Sequence, residues 1–322
     1  MLKGKRLLIT GGAGFIGSTV ASRLFEGNEI VLFDSFRRNA LSTHDDERVR
    51  TLRVIEGDVT SFDSIKAAVA DVKPTHIVHA AGIAGIQTVS QRPVDTLEVN
   101  MVGTANLLKA AREVGGLERV VTFSTSEIFG SRCFQANENT PAEIGAVGEP
   151  RWVYAASKLG AEHLSIAHWI QYKLPTAVVR PFNVYGPGQV GEGALAIFIN
   201  RALKDQPITI HGDGSQIRAW CYVTDMVDGV IACLHEPGAV GRAFNIGNAR
   251  AVETILGLAR HVVRILGSKS EITFVPKTGA DIELRVPDLA YPRQHINYEP
   301  KVDLEEGIKL AADYYRRNPI ER

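Results

Sequence analysis

Arg6-Leu7-Leu8-Ile9-Thr10-Gly11-Gly12-Ala13-Gly14-Phe15-Ile16-Gly17 decides the fold of this chain. The first five residues form a short apolar run of the kind buried on both faces of a parallel sheet. The run breaks into glycines at 11, 14 and 17, and a helical pattern follows over Ser18 to Glu26. Gly11 permits a tight turn, Gly14 lets backbone approach a pyrophosphate, and Gly17 lets helix and strand pack closely. The helix N-terminus then offers free N–H groups and the positive end of its dipole to phosphate. A glycine triplet alone is weak evidence. Set between a strand and a helix it predicts dinucleotide binding, with Gly11, Gly14, Phe15, Ile16 and Gly17 as the contact.

Strand and helix patterns alternate from there. Glu29 to Asp34 reads as a second strand. Its terminal Asp34 lies about twenty residues past the turn, where an acid takes both hydroxyls of an adenosine ribose and repels a 2′-phosphate. NAD is therefore favoured over NADP, although Arg37 and Arg38 nearby act the other way. Asn39 to Arg50 reads as a mobile polar loop. Leu52 to Val59 is the third strand, with Asp58 and Val59 at its cofactor end, and Ser61 is expected to cap a helix to about Ala70. Thr75 to Gly82 is the fourth strand, ending in Ala80 and Ala81, small enough to let backbone lie against a flat cofactor. His76 and His79 are expected on one face of it, packed rather than ligating, because no third ligand is evident.

A long helix is predicted over Val94 to Glu113, a fifth strand over Arg119 to Ser124, a helix from Arg151 to Tyr172 and a sixth strand over Thr176 to Arg180. This alternation implies an α/β, Rossmann-type doubly wound parallel sheet with right-handed crossovers, whose ligands bind beyond the carboxyl ends of the strands. Residues 1–180 are expected to form the cofactor-binding domain, with a strand near 243–247 returning to it. Residues 181–322 are expected to form mainly a smaller C-terminal α/β lobe for substrate. In that lobe Asp225 is expected to cap a helix to His235, with further helices near Val252 to Leu266 and Leu304 to Arg317.

The bulk properties exclude several classes. Lys plus Arg and Asp plus Glu balance at 36 each in 322 residues, so no bulk charge draws nucleic acid or an acidic membrane. Cys133, Cys221 and Cys233 are scattered, which argues against a disulfide framework and lacks metal-ligand spacing. No apolar run is long enough to span a bilayer, and no signal-peptide pattern leads the first strand. The expectation is a soluble cytoplasmic protein with no metal.

Tyr154 and Lys158 are four apart on a predicted helix, so both project from one face. An ammonium near a phenol favours the phenolate. Bringing a phenol from a pKa of about 10 to near neutrality takes roughly three units, or about 4 kcal/mol. A positive nicotinamide ring contributes in the same direction. The product is a general base for a sugar or alcohol hydroxyl. Thr125, at a strand end, is placed to hydrogen-bond the same oxygen.

The glycine turn, Asp34, Thr125, Tyr154 and Lys158, in this order and spacing, resemble an extended short-chain dehydrogenase/reductase. The resemblance continues through Arg180-Pro181-Phe182-Asn183-Val184-Tyr185-Gly186-Pro187-Gly188, Gly212-Asp213-Gly214-Ser215-Gln216-Ile217-Arg218 and Leu284-Arg285-Val286-Pro287-Asp288. These stretches are similar to the nucleotide-sugar epimerase/dehydratase/decarboxylase branch. The resemblance implies a tightly held NAD and a nucleotide-diphosphate sugar bound by Asn183, Arg218 and Arg285, with Thr125 and Ser126 at the sugar. Arginine's planar fork suits the diphosphate. Glu127 stands where dehydratases and decarboxylases of the family carry a carboxylate; the resemblance implies that it works at carbon 5 in a dehydratase, and that in a decarboxylase it positions groups, with Arg218 near the substrate's carboxylate. Ser126 departs from the aspartate of the dTDP-glucose dehydratases. Glu149 to Tyr154 and Gln216 to Tyr222 resemble decarboxylases, whereas Arg180 to Gln189 reads more like epimerases and dehydratases. Dehydratase and decarboxylase stand nearly level, with 4-epimerase third. A non-catalytic NAD-sensing protein is a remote alternative, since such proteins tend to lose the tyrosine or the lysine. The resemblance also implies a homodimer through a four-helix contact. The helical stripes Leu97, Met101, Ala105, Leu108 and Ala156, Leu159, Gly160, His163 lie on the helices concerned.

Overall fold

Fifteen strands and their connecting helices follow one another in a computed structural model that describes residues 2–277 and 279–319. The strands are β1 (Arg6–Thr10), β2 (Glu29–Asp34), β3 (Arg53–Glu56), β4 (His76–His79), β5 (Arg119–Phe123), β6 (Arg132–Ala136), β7 (Thr176–Pro181) and β8 (Val184–Tyr185). They continue as β9 (Ile208–His211), β10 (Ile217–Ala219), β11 (Cys221–Tyr222), β12 (Ala243–Ile246), β13 (Val252–Thr254), β14 (Ile272–Val275) and β15 (Leu284–Pro287). Seven of them form one parallel sheet in the order β12-β7-β5-β4-β1-β2-β3. The chain winds outward from β1 to β3, then crosses back to β4 and winds the other way. β1 and β4 are therefore the switch point, where a crevice opens at the carboxyl ends.

The apolar run in β1 is explained by burial on both faces. Leu7 and Ile9 pack with Val20, Leu24, Val227 and Val230 from the helices Phe15–Leu24 and Val223–His235. Leu8 points the other way, to Ile65, Val69, Leu107 and Leu108 from the helices Phe62–Val72 and Gly103–Val114. Each such fully buried side chain contributes roughly 1.5–3 kcal/mol of transfer free energy. The smaller lobe is built on a four-stranded sheet, β13-β10-β15-β6. β6 reaches this lobe from a stretch that reads as polar loop in the sequence, and β12 returns to the central sheet beside β7.

Several local expectations change. His76 and His79 are three residues apart, and a strand has a period of two, so they lie on opposite faces. His79 is fully buried between the hydroxyls of Thr10, 2.6 Å away, and Thr104, 3.1 Å away. Burial, with the Lys158 charge adding to it, lowers its pKa to about 3. His76 faces the helix Val223–His235 and bonds the Thr75 hydroxyl. The predicted helix 94–113 is interrupted: Pro93–Leu97 is α-helical, Glu98–Val102 forms a wider π turn, and Gly103–Val114 resumes the α-helix. Asp225 lies inside its helix rather than at the cap. Its carboxylate accepts from the backbone N–H groups of Lys301 and Val302 instead, tying the C-terminal segment down. β3 stops at Glu56, which leaves Asp58 and Val59 in the loop beyond it. The polar stretch Asn39 to Arg50 contains a helical turn, Glu47–Arg50, capped by Asp46. Ser61 caps its helix as expected, accepting from Ser64 N–H.

Candidate active site

The turn after β1 is shaped by contact with its neighbour. Gly11 has φ of +69°, and a Cβ there would lie 2.5 Å from the Ala81 nitrogen. Gly11 N–H donates to the Phe33 carbonyl and Ala80 N–H to the Thr10 carbonyl. A side chain on Gly17 would be driven into the Gly11 carbonyl oxygen. The helix Phe15–Leu24 begins at Gly14 with no side-chain cap and no acid in its first turn, so its N–H groups and dipole face outward unopposed. At the end of β2, Asp34 accepts from Ala13 N–H at 2.9 Å and from Phe36 N–H at 2.8 Å. Burial raises its pKa against those hydrogen bonds. The two arginines that follow are engaged elsewhere. Arg37 reaches Asp58 at 3.4 Å, and Arg38 donates to the Ala84 carbonyl and the Thr88 hydroxyl at 3.0 Å. Val59 is buried, and its carbonyl accepts from the Asn106 amide.

Tyr154 and Lys158 project from the helix Pro150–Tyr172 one turn apart. The π turn fixes this helix from beside it. Asn100, fully buried, holds both Ile83 N–H and Ile83 C=O, and donates to the Ser157 hydroxyl, which in turn donates to the Tyr154 carbonyl. Lys158 Nζ donates to the Phe123 carbonyl at 3.1 Å and lies beside Gly82, where a Cβ would stand 3.0 Å from it. Burial brings the Lys158 ammonium down to about 8. Thr125 caps the turn Ser126–Ile128: its hydroxyl accepts from Glu127 N–H at 3.2 Å and donates to the Tyr154 phenol. Ser126 is buried in that turn.

Several groups act on the Tyr154 phenol. Burial pushes the phenol well above its usual value and the Glu127 charge adds to this, while the Thr125 hydrogen bond opposes both. The ammonium is held at the end of β5 by the Phe123 carbonyl.

Three buried guanidiniums meet around Glu127. Arg218 on β10 and Arg285 on β15 are register partners in adjacent parallel strands, so their side chains share a face. Arg285 donates to the Gly130 carbonyl, and Arg218 to the Ile282 carbonyl. Burial brings each of them down to about 10, so both stay charged at neutral pH. Arg151 reaches Glu127 at 3.6 Å and Asp281 at 3.3 Å, and Asp281 also faces Arg218 and Lys277, each at 3.5 Å. Four cationic side chains thus surround two carboxylates. Asn183 has φ of +36°, and its amide donates to the Ala219 carbonyl, which places it as a brace beside Arg218.

Sequence reasoning missed Arg151, Asp281, Lys277 and Asn100 as site residues. Arg151 was legible, since it precedes Tyr154 by three residues on one helix. The other three carry no local signal: the loop holding Lys277 and Asp281 and the π turn holding Asn100 join the site only through the fold.

The sequence profile of the NAD dependent epimerase/dehydratase family matches residues 7–247. This chain belongs to that family. It is 32% identical over 324 residues to the UDP-N-acetyl-alpha-D-glucosaminuronate decarboxylase of Bacillus cytotoxicus, covering 97% of this chain and 98% of that protein. It is 31% identical over 323 residues to UDP-glucuronic acid decarboxylase 1 of Arabidopsis thaliana, covering 97% of this chain and 70% of that one. The structure resembles that of the UDP-glucuronic acid 4-epimerase of Bacillus cereus, solved with UDP-glucuronic acid and NAD. The TM-score there is 0.87 at 26% identity, covering 97% and 99% of the two chains.

Like its relatives, this family member is an NAD-dependent enzyme that modifies nucleotide sugars. Its residues fit the cofactor: the Gly11 turn and uncapped helix suit a pyrophosphate, and Asp34 suits an unphosphorylated ribose. No helix among the described residues is long and apolar enough to cross a membrane. Among the described residues, no group of three or more His, Cys, Asp or Glu is placed to hold a metal ion.

Proposed function

We propose that this enzyme removes the carboxyl group of a nucleoside-diphosphate-bound hexuronate through a 4-ketone. The observation that carries the reading is the pairing of Glu127 with Arg151 beside the Tyr154 phenol. An acid and a guanidinium so close to the phenol support a reaction at the carbons next to carbon 4 of a sugar whose 4-hydroxyl meets Tyr154. The relatives named as decarboxylases support the same reading.

NAD, when bound, accepts a hydride from carbon 4 of the sugar and later returns it. Tyr154 takes the proton of the 4-hydroxyl once the positive charges of Lys158 and of bound NAD offset the burial that raises its phenol, with Thr125 donating to the phenolic oxygen. Lys158 sets the edge of the cofactor crevice and keeps its positive charge below about pH 8. The 4-ketone makes the sugar a β-keto acid. The carbon 5–carbon 6 bond then breaks, its electron pair passes toward the carbonyl as an enolate, and carbon dioxide departs. Glu127 faces carbon 5, where a proton must be added before the ketone is reduced, and Tyr154 returns the proton to oxygen 4. Arg218 and Arg285 hold the diphosphate, with Asn183 bracing the strand that carries Arg218.

The test is mass spectrometry of UDP-glucuronate, and of dTDP-, GDP- and CDP-sugars, after incubation with enzyme and NAD. Loss of carbon dioxide from the uronate is expected. Loss of water would make the enzyme a dehydratase, and an unchanged mass with carbon 4 inverted would make it an epimerase. Either would overturn the reading.

The enzyme is further proposed to be a cytoplasmic homodimer. Its three cysteines are unpaired, which suits a reducing compartment. Val94, Leu97 and Val102 are exposed along Pro93–Val102, next to the half-buried Ala156, Leu159 and Gly160 of the helix Pro150–Tyr172. Met101 lies against Gly160 and holds the two helices together within one chain.

A further inference from the structure

Arg151 is the one guanidinium of the cluster without a step in the reaction above. Its side chain is 8% exposed, yet its own chain satisfies it poorly. The contacts to Asp281 and Glu127, at 3.3 and 3.6 Å, are longer than the roughly 2.7–2.9 Å of a well-made charge-assisted hydrogen bond. Its Nε has no hydrogen-bond partner at all. A buried charge with spare donors is costly unless a ligand completes it.

Position says which part of a ligand it meets. Arg151 precedes Tyr154 by three residues on the same helix, so the two side chains leave one face with Cβ atoms about 5–6 Å apart. In a hexuronate, the carboxylate-bearing carbon 5 is bonded to carbon 4. A sugar that presents its 4-hydroxyl to Tyr154 therefore carries its carboxylate within one helical turn of that point. Arg218 and Arg285, on the smaller sheet, are left for the diphosphate. The geometry points to Arg151 as the residue that recognises the carbon 6 carboxylate of the substrate and selects uronates over neutral hexoses. In doing so it exchanges Glu127 for the substrate's carboxylate. A neutral sugar leaves Glu127 tied to Arg151, whereas a uronate releases it toward carbon 5. This inference rests on the hexuronate reading and deepens it.

Calorimetric titration of the NAD-loaded enzyme with UDP, UDP-glucose and UDP-glucuronate tests it, alongside turnover of UDP-glucuronate. The wild type is expected to prefer the uronate over UDP-glucose. In Arg151→Met that preference falls by roughly 30-fold or more, and KM for the uronate rises in step, while UDP and UDP-glucose bind within about threefold of wild type. Arg151→Lys keeps the charge without the fork and is expected to recover part of the preference. A preference that survives in Arg151→Met, with carbon dioxide still released by the wild type, overturns this inference and leaves the decarboxylase reading standing. A parallel loss of UDP affinity also overturns it, since the residue would then act at the phosphates or on the fold. A wild type that neither prefers nor decarboxylates the uronate removes both.

Discussion

The lysine of the Tyr154–Lys158 pair is charged, buried and held by one carbonyl. Its folded pKa, about 8, lies below the unfolded value of about 10.4. A base lowered in this way penalises the fold wherever it is protonated. Stability is therefore reduced below about pH 8 and recovers as the pH rises from there toward 10.4. Lys158→Met is expected to stabilise the chain at pH 7 by about 2 kcal/mol, after allowance for the lost hydrogen bond to Phe123. Turnover is expected to disappear in the same variant, and wild-type turnover to fall above about pH 8 as the ammonium loses its proton. Urea denaturation at pH 7 and pH 10, with the gain shrinking at the higher pH, checks the first part. A variant less stable than wild type at pH 7 would refute it. The pair itself was legible from its spacing of four. What the spacing did not reveal is that the ammonium is held at the end of β5, because that depends on a strand thirty-odd residues upstream folding against the helix.

At the scale of elements, the π turn Glu98–Val102 does what an unbroken helix would not. It places Asn100 where one side chain fastens the Gly82–Ile83 loop and the Tyr154 helix together. The apolar stripe Leu97, Met101, Ala105, Leu108 makes the helix look continuous in sequence, but across the π turn it is split: Leu97 is exposed, whereas Leu108 is buried with Leu8. β6 escaped for the opposite reason: Arg132, Phe134 and Gln135 are all exposed, so the strand shows no alternation and is held by pairing with β15. The central strands were legible because burial on both faces demands continuous apolar runs. Asn100→Ala leaves Ile83 N–H and C=O unpaired in a buried site and is expected to cost about 3 kcal/mol in urea denaturation. It is also expected to lower kcat/KM, because the loop beside Lys158 loses its fastening. Unchanged stability would show that Asn100 does not hold these elements together.

Across the whole molecule, the order β12-β7-β5-β4-β1-β2-β3 puts the glycine turn, Asp34, Thr125 and the Tyr154 helix around one crevice, although they span more than a hundred residues of chain. The alternating pattern was enough to read that arrangement. It was not enough to read the sugar end, where Glu127, Arg151, Arg218 and the pair Asp281 and Arg285 come from four separate stretches and meet only when β6, β10 and β15 pair. The outer helix face remains. Val94, Leu97 and Val102 are 63%, 37% and 46% exposed, on a helix whose inner face is already packed. Such residues side by side form an apolar patch that a second copy of the helix pair would cover. Sedimentation at micromolar concentration is expected to give twice the chain mass of 35.0 kDa. Val94→Glu combined with Leu97→Glu is expected to give single chains with an unchanged melting temperature for the core, since both positions face solvent within one chain. A wild-type protein that sediments as a single chain would refute the dimer. A double variant that stays dimeric would move the contact to another face.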